Sequence, residues 1–88
     1  MNVRLGKKHQ RTLEAIFTTQ TPATLQWRRI ESLFIALGAI KNEARGSGVN
    51  FKLSGKTVTF HRPHNRKEAS RYQVRDARDF LKRIGITP

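Results

Sequence analysis

The chain has 88 residues, no cysteine, and 18 lysines and arginines against 6 aspartates and glutamates, for a formal charge of +12. So short a chain holds one domain with little room for a large cofactor pocket, and the absence of cysteine excludes disulfide bridges and Cys-ligated zinc or iron–sulfur centres. Charge of this size and sign points to a polyanionic partner, either nucleic acid or a strongly acidic protein.

Residues 1 to 7 carry no period. From Lys8 to Thr18, Leu13, Ile16 and Phe17 share one helical face, which predicts a short amphipathic helix, and Thr18 to Pro22 reads as a loop. Thr24 is placed as the N-cap of a helix over Leu25 to Leu37, in which Trp27, Ile30, Leu33, Phe34 and Leu37 follow helical spacing and Gly38 gives the stop. The longest apolar stretch, Leu33 to Leu37, is far short of the roughly 20 residues of a membrane span, and no apolar segment follows the basic N-terminus. The expectation is a cytoplasmic protein with no membrane partner.

Beyond Gly38 the period changes to two. A strand is predicted over Ala39 to Ala44, and the flexible Gly46-Ser47-Gly48 cluster connects it to a second in which Val49, Phe51 and Leu53 alternate with polar residues. A third, Thr57 to Arg62, carries Val58 and Phe60 on the core face and Thr57, Thr59 and His61 on the other. If Ser54-Gly55 is a two-residue turn, Val49 faces Phe60 and Gly48 faces His61; a four-residue turn would set Asn50 opposite His61. Pro63 ends the strand, His64 to Ala69 is a loop, and Ser70 with Gln73 fits a capping box opening a helix with Val74, Ala77, Phe80, Leu81 and Ile84 inward and Gly85 as stop. The predicted fold is α+β, order α-α-β-β-β-α, a three-stranded antiparallel sheet covered by helices on one face.

Positive charge accompanies the sheet and the last helix, where Arg71, Arg75, Arg78 and Lys82 form a stripe able to track phosphates. A solvated basic face, partly paired with Asp76 and Asp79, accounts for the same residues. Of the three histidines, His9 reads as an exposed helix residue, and the spacing suits no metal site. His61 shares the polar face with Asn50 and Lys52, and the basic run Arg62 to Lys67 follows it. A neutral imidazole beside phosphate-binding cations can serve RNA cleavage in which the 2′-hydroxyl is the internal nucleophile, with no metal or other cofactor. The plainer reading makes His61 an edge-strand residue binding a phosphate or a partner's carboxylate; His64, after the proline, either positions the loop or joins the catalysis. On the catalytic reading Lys52 and Arg62 steady the reacting phosphate while Arg75, Arg78 and Lys82 hold the backbone.

Gly46-Ser47 with the strand running to Phe51 and Leu53, the His61-Arg62-Pro63-His64 strand end, and the closing Arg83-Ile84-Gly85-Ile86 resemble the HicA family, small toxins of HicA–HicB toxin–antitoxin pairs. The resemblance spans residues 25 to 86 of a single domain, with 1 to 24 as an extension bearing the first helix. It implies a fold like the double-stranded RNA-binding domain, endoribonucleolytic cleavage of messenger RNA (an mRNA interferase), and neutralisation by a HicB antitoxin. The family's usual catalytic histidine directly follows the Gly-Ser pair, where this chain has Gly48. Another group has taken over, or substitution has disabled the toxin, or the protein binds RNA without cutting it; His61 is the best replacement because it reaches the same space over the sheet. Two readings compete with a ribonuclease: a non-catalytic double-stranded RNA-binding module and a small ribosome- or nucleoid-associated basic protein.

Overall fold

The computed structural model describes residues 5–18 and 25–88. Its elements are α1 (Lys7–Phe17), α2 (Trp27–Ala36), β1 (Ile40–Glu43), β2 (Gly48–Leu53), β3 (Lys56–His61) and α3 (Arg71–Arg83), the order that the periodicities predict. The sheet is antiparallel with strand order β1-β2-β3. Phe34 of α2 is fully buried, with ring centroids 5.0 Å from Phe51, 5.9 Å from Phe60 and 5.8 Å from Phe80. One aromatic cluster therefore ties α2, β2, β3 and α3 together, each pair adding about 0.5–1.5 kcal/mol beyond burial. On α1, Leu13 and Ile16 are buried as their spacing predicts, and the buried Thr12 hydroxyl donates to the Lys8 carbonyl at 3.1 Å.

Helix α2 begins two residues later than predicted. Leu25 and Gln26 are extended: the Leu25 carbonyl accepts from Ala69 N at 2.8 Å, Trp27 N donates to the Lys67 carbonyl at 2.9 Å, and Gln26 forms a bridge with Glu68. This pairing buries Leu25 and Ala69 and satisfies backbone groups that a longer helix would leave to a side-chain cap. Gln26 is the N-cap and makes no side-chain cap bond; Thr24 lies outside the described residues, as do Thr19 to Pro22 of the predicted loop. At the other end Gly38, at φ +97°, lets Ala39 N reach the Phe34 carbonyl and Gly38 N the Ile35 carbonyl, both at 3.0 Å. That use of the Ala39 amide delays β1 to Ile40.

Ser54 and Gly55 both have positive φ, 54° and 76°, as a two-residue hairpin turn requires. The register follows: Val49 pairs with Phe60 and Gly48 with His61. Because side chains alternate across a strand, the rows Ile40–Lys52–Thr57, Asn42–Asn50–Thr59 and Gly48–His61 form the open face, while Val49, Phe51 and Phe60 point toward the helices. Helix α3 opens with the predicted capping box, Ser70 N donating to Gln73 Oε1 at 2.7 Å and Gln73 N to Ser70 Oγ at 3.2 Å. No helix among the described residues is long and apolar enough to cross a membrane.

Candidate functional site

His61 ends β3 on the open face, exposed and directly opposite Gly48. A Cβ at position 48 would lie 3.0 Å from Ala44 Cβ, 3.3 Å from the Arg45 carbonyl oxygen and 3.9 Å from His61 Nδ1. The imidazole thus stands against the place where a residue-48 side chain would begin. The backbone here is tied from two sides. Arg62 N donates to the Ser47 carbonyl at 2.9 Å, and Gln73 Nε2 donates to the His61 carbonyl at 2.5 Å while its Oε1 caps α3. The first turn of α3 therefore fixes the end of β3. His64 lies past Pro63 in a bend and is exposed.

Arg62, one residue on, serves the other side. Its Nε donates to Glu31 Oε1 of α2 at 2.5 Å, and its Nη1 and Nη2 donate to the two Glu43 carboxylate oxygens of β1 at 2.5 and 2.9 Å. The same Glu31 oxygen accepts from Trp27 Nε1 at 2.8 Å, so one carboxylate orients both the indole and the guanidinium. The hydrogen bond from Arg62 holds the Glu43 carboxyl below its ordinary value, outweighing partial desolvation, with smaller help from the charges of Arg62 and Lys41. In return the bonds to Glu43 and Glu31 raise the Arg62 pKa further above its ordinary value. A planar fork between two carboxylates is a fastener for the β1, β3 and α2 ends.

Lys52 is on the open face with His61 but pairs with Thr57, four positions along β2 from Gly48, or about 13 Å at strand rise. The structure therefore brings His61 and Gly48 together, sets Lys52 farther along the same face, and turns Arg62 to the helix side. On α3, Arg78 donates from Nε to the Ile16 carbonyl at 2.7 Å and from Nη2 to the Thr18 carbonyl at 3.0 Å, tying α3 to the C-terminus of α1. Arg75 is exposed and stacks over Tyr72 at 5.0 Å, and Lys82 is exposed in the last turn. Asp76 and Asp79 line a groove with Thr57 and Val58 on the β3 side, and among the described residues they form no ion pair with the stripe.

Sequence reasoning missed Glu31 and Glu43; Trp27, read as core, is buried as expected, and its bond to Glu31 is the addition. The missing signal was strand parity: if His61 faces outward, Arg62 faces the helices, and Trp27 and Glu31 are spaced to meet on α2. Among the described residues no group of three or more His, Asp or Glu side chains could hold a metal ion.

Comparison with curated proteins and with solved structures gives no match. A family model described as the HicA toxin of bacterial toxin–antitoxin matches residues 27–86, from the first residue of α2 to the buried Ile86 that follows α3. That match takes in the sheet, the His61–Gly48 pair and the Arg62 fastener, and leaves α1 outside it. The chain accordingly belongs to the HicA family, toxins of toxin–antitoxin systems.

Proposed function

We propose that this toxin is a metal-independent endoribonuclease of messenger RNA in which His61 does the acid–base work that Gly48 cannot. The observation that carries the reading is the 3.9 Å separation between His61 Nδ1 and the place of a residue-48 Cβ, which puts an imidazole within reach of the space a histidine at 48 would occupy. His61 takes the proton of a ribose 2′-hydroxyl, the O2′–P bond forms as the P–O5′ bond breaks, and the departing 5′-oxygen takes a proton from water. The products are a 2′,3′-cyclic phosphate and a 5′-hydroxyl. Lys52, Arg75 and Lys82, which make no ion pair with described residues, attract and hold the RNA backbone. Arg62 and Arg78, engaged by carboxylates and carbonyls, act on RNA through the shape they maintain. His64 is the auxiliary imidazole.

The test is incubation with labelled messenger RNA in excess EDTA beside a His61→Ala protein checked to be folded. The expected result is a loss of roughly 10²–10⁴-fold in cleavage rate. Undiminished cleavage by His61→Ala would sink the assignment. RNA bound but left uncut by both proteins would support the second reading, which Gly48 itself favours: a disabled toxin or a non-catalytic RNA-binding module. The antitoxin on this view is an acidic, HicB-like protein that covers His61 and the basic surface, so complex formation should abolish RNA binding along with cleavage.

A further inference from the structure

On the helix side of the β3 end, a cleft of about 280 Å³ opens between the start of α2 and the chain that leaves the sheet. Pro63 and the small exposed part of Trp27, which is otherwise buried at 5% exposure, supply its apolar surface, and Arg28, Arg62, Arg66 and Lys67 line it with positive charge. Of these cations only Arg62 is neutralised by described carboxylates; Arg28, Arg66 and Lys67 are exposed and form no ion pair with any described residue. Lys67 contributes to the fold through its backbone carbonyl, which accepts from Trp27 N at 2.9 Å. Its ammonium is left for something else. The cleft is also close to His61 along the chain, because His61, Arg62 and Pro63 are consecutive and Arg62 is held on the helix side by Glu31 and Glu43.

We propose that this cleft takes one nucleotide of a single-stranded RNA, with its phosphate on Arg28, Arg66 and Lys67 and its ring against Pro63 and the exposed rim of Trp27. The inference rests on the reading that the protein binds RNA, and it adds a subsite for one unpaired nucleotide beside the β3 end. A half-open cleft of this volume with an apolar patch and a cationic rim suits a ring attached to a phosphate. A base held in a helix cannot enter it, because its faces are stacked and its edge is paired, whereas an unpaired strand crossing His61 can turn past Pro63 and seat its next nucleotide there.

Trp27 is the chain's single tryptophan, so its emission reports on the cleft directly. The full chain is titrated with a single-stranded oligoribonucleotide and with a blunt duplex of the same length. Wild type is compared with Arg66→Ala/Lys67→Ala and with Lys7→Ala/Arg11→Ala, a control that removes two exposed cations from α1. The expected result is a saturable change in Trp27 emission with the single strand, and a loss of roughly tenfold in single-strand affinity in the cleft variant that exceeds the loss in the control. The salt slope for the single strand should also fall by about 1.4 for two phosphate contacts removed. If the double variant fails to fold, Arg28→Ala is read the same way. RNA bound without any change in Trp27 emission, and with equal losses in cleft and control variants, overturns the cleft assignment and leaves the RNA reading standing. No RNA binding by wild type overturns both. A change of Trp27 emission with polyglutamate and none with RNA reassigns the cleft to an acidic protein segment and overturns the proposal.

Discussion

His61 and Arg62 are neighbours in sequence and belong to opposite faces of the sheet. On the open face, Thr57, Thr59, Lys52 and His61 are exposed, and among the described residues the one hydrogen bond between side chains is from Thr59 Oγ1 to Asn50 Oδ1 at 2.7 Å. On the helix face, Val49, Phe51 and Phe60 are buried against α2 and α3, and Arg62 closes the end of that layer with three hydrogen bonds to carboxylates. The contrast teaches that a charge count does not state how many cations a ligand can meet. One step along a strand turns a side chain from solvent to an internal partner, and Arg78 shows the same outcome on a helix.

The largest effect that would test this division is Phe34→Ala, which removes the ring at the centre of the aromatic cluster and should cost about 3–5 kcal/mol in chemical denaturation. Its counterpart on the open face, Thr59→Ala, should stay within about 1 kcal/mol, because the Asn50 amide it leaves is free to bond water. Comparable losses in the two variants would mean that the open face is structural as well. Next in size is Arg62→Ala, which strips Glu31 and Glu43 of their shared donor and should cost about 2 kcal/mol. Arg62→Lys should not restore that loss, because an ammonium cannot span both carboxylates as the planar fork does.

Much of this arrangement was legible in the residues. The change of period at Gly38, the alternation of Val49, Phe51 and Leu53, the Ser70–Gln73 capping box and the Ser54-Gly55 turn each have a local cause, so local reasoning found them. The start of α2 was not legible, because Leu25 and Gln26 are held extended by Lys67 and Ala69, about forty residues away in sequence. Helical propensity yields there to a tertiary pairing. The Arg62 fastener joins three elements in the same way. At the candidate site, the placement of His61 against Gly48 followed from turn length alone, whereas the cleft beside Trp27 needs two distant segments in contact before it exists.

Gly48→His sharpens the comparison from the open face. The new Cβ would lie 3.0 Å from Ala44 Cβ and 3.3 Å from the Arg45 carbonyl, so the β1–β2 connection must shift by a few tenths of an ångström, at a cost of about 1 kcal/mol. In a His61→Ala background the added imidazole enters the space that His61 has vacated, and the measurement is cleavage of labelled RNA in EDTA. Recovery of roughly tenfold or more of the lost rate would show that acid–base chemistry belongs to a location served from either strand. No recovery in a folded, RNA-binding double variant would tie the chemistry to His61 on β3.

The smallest effect concerns Glu43, which is exposed and is held by Arg62 below its ordinary value of 4.5. A carboxyl whose folded pKa is depressed adds stability that is complete above the unfolded value and disappears as pH falls through the folded one. The stability difference between wild type and Glu43→Gln should therefore be level from neutral pH down to about 4.5 and shrink below it, as protonation removes the charge that the guanidinium grips. Urea denaturation of both proteins at stepped pH reads this directly. A difference that persists unchanged well below that point would mean that Glu43 holds the β3 end by shape and neutral hydrogen bonds, and that Glu31 alone supplies the charge that keeps Arg62 on the helix side.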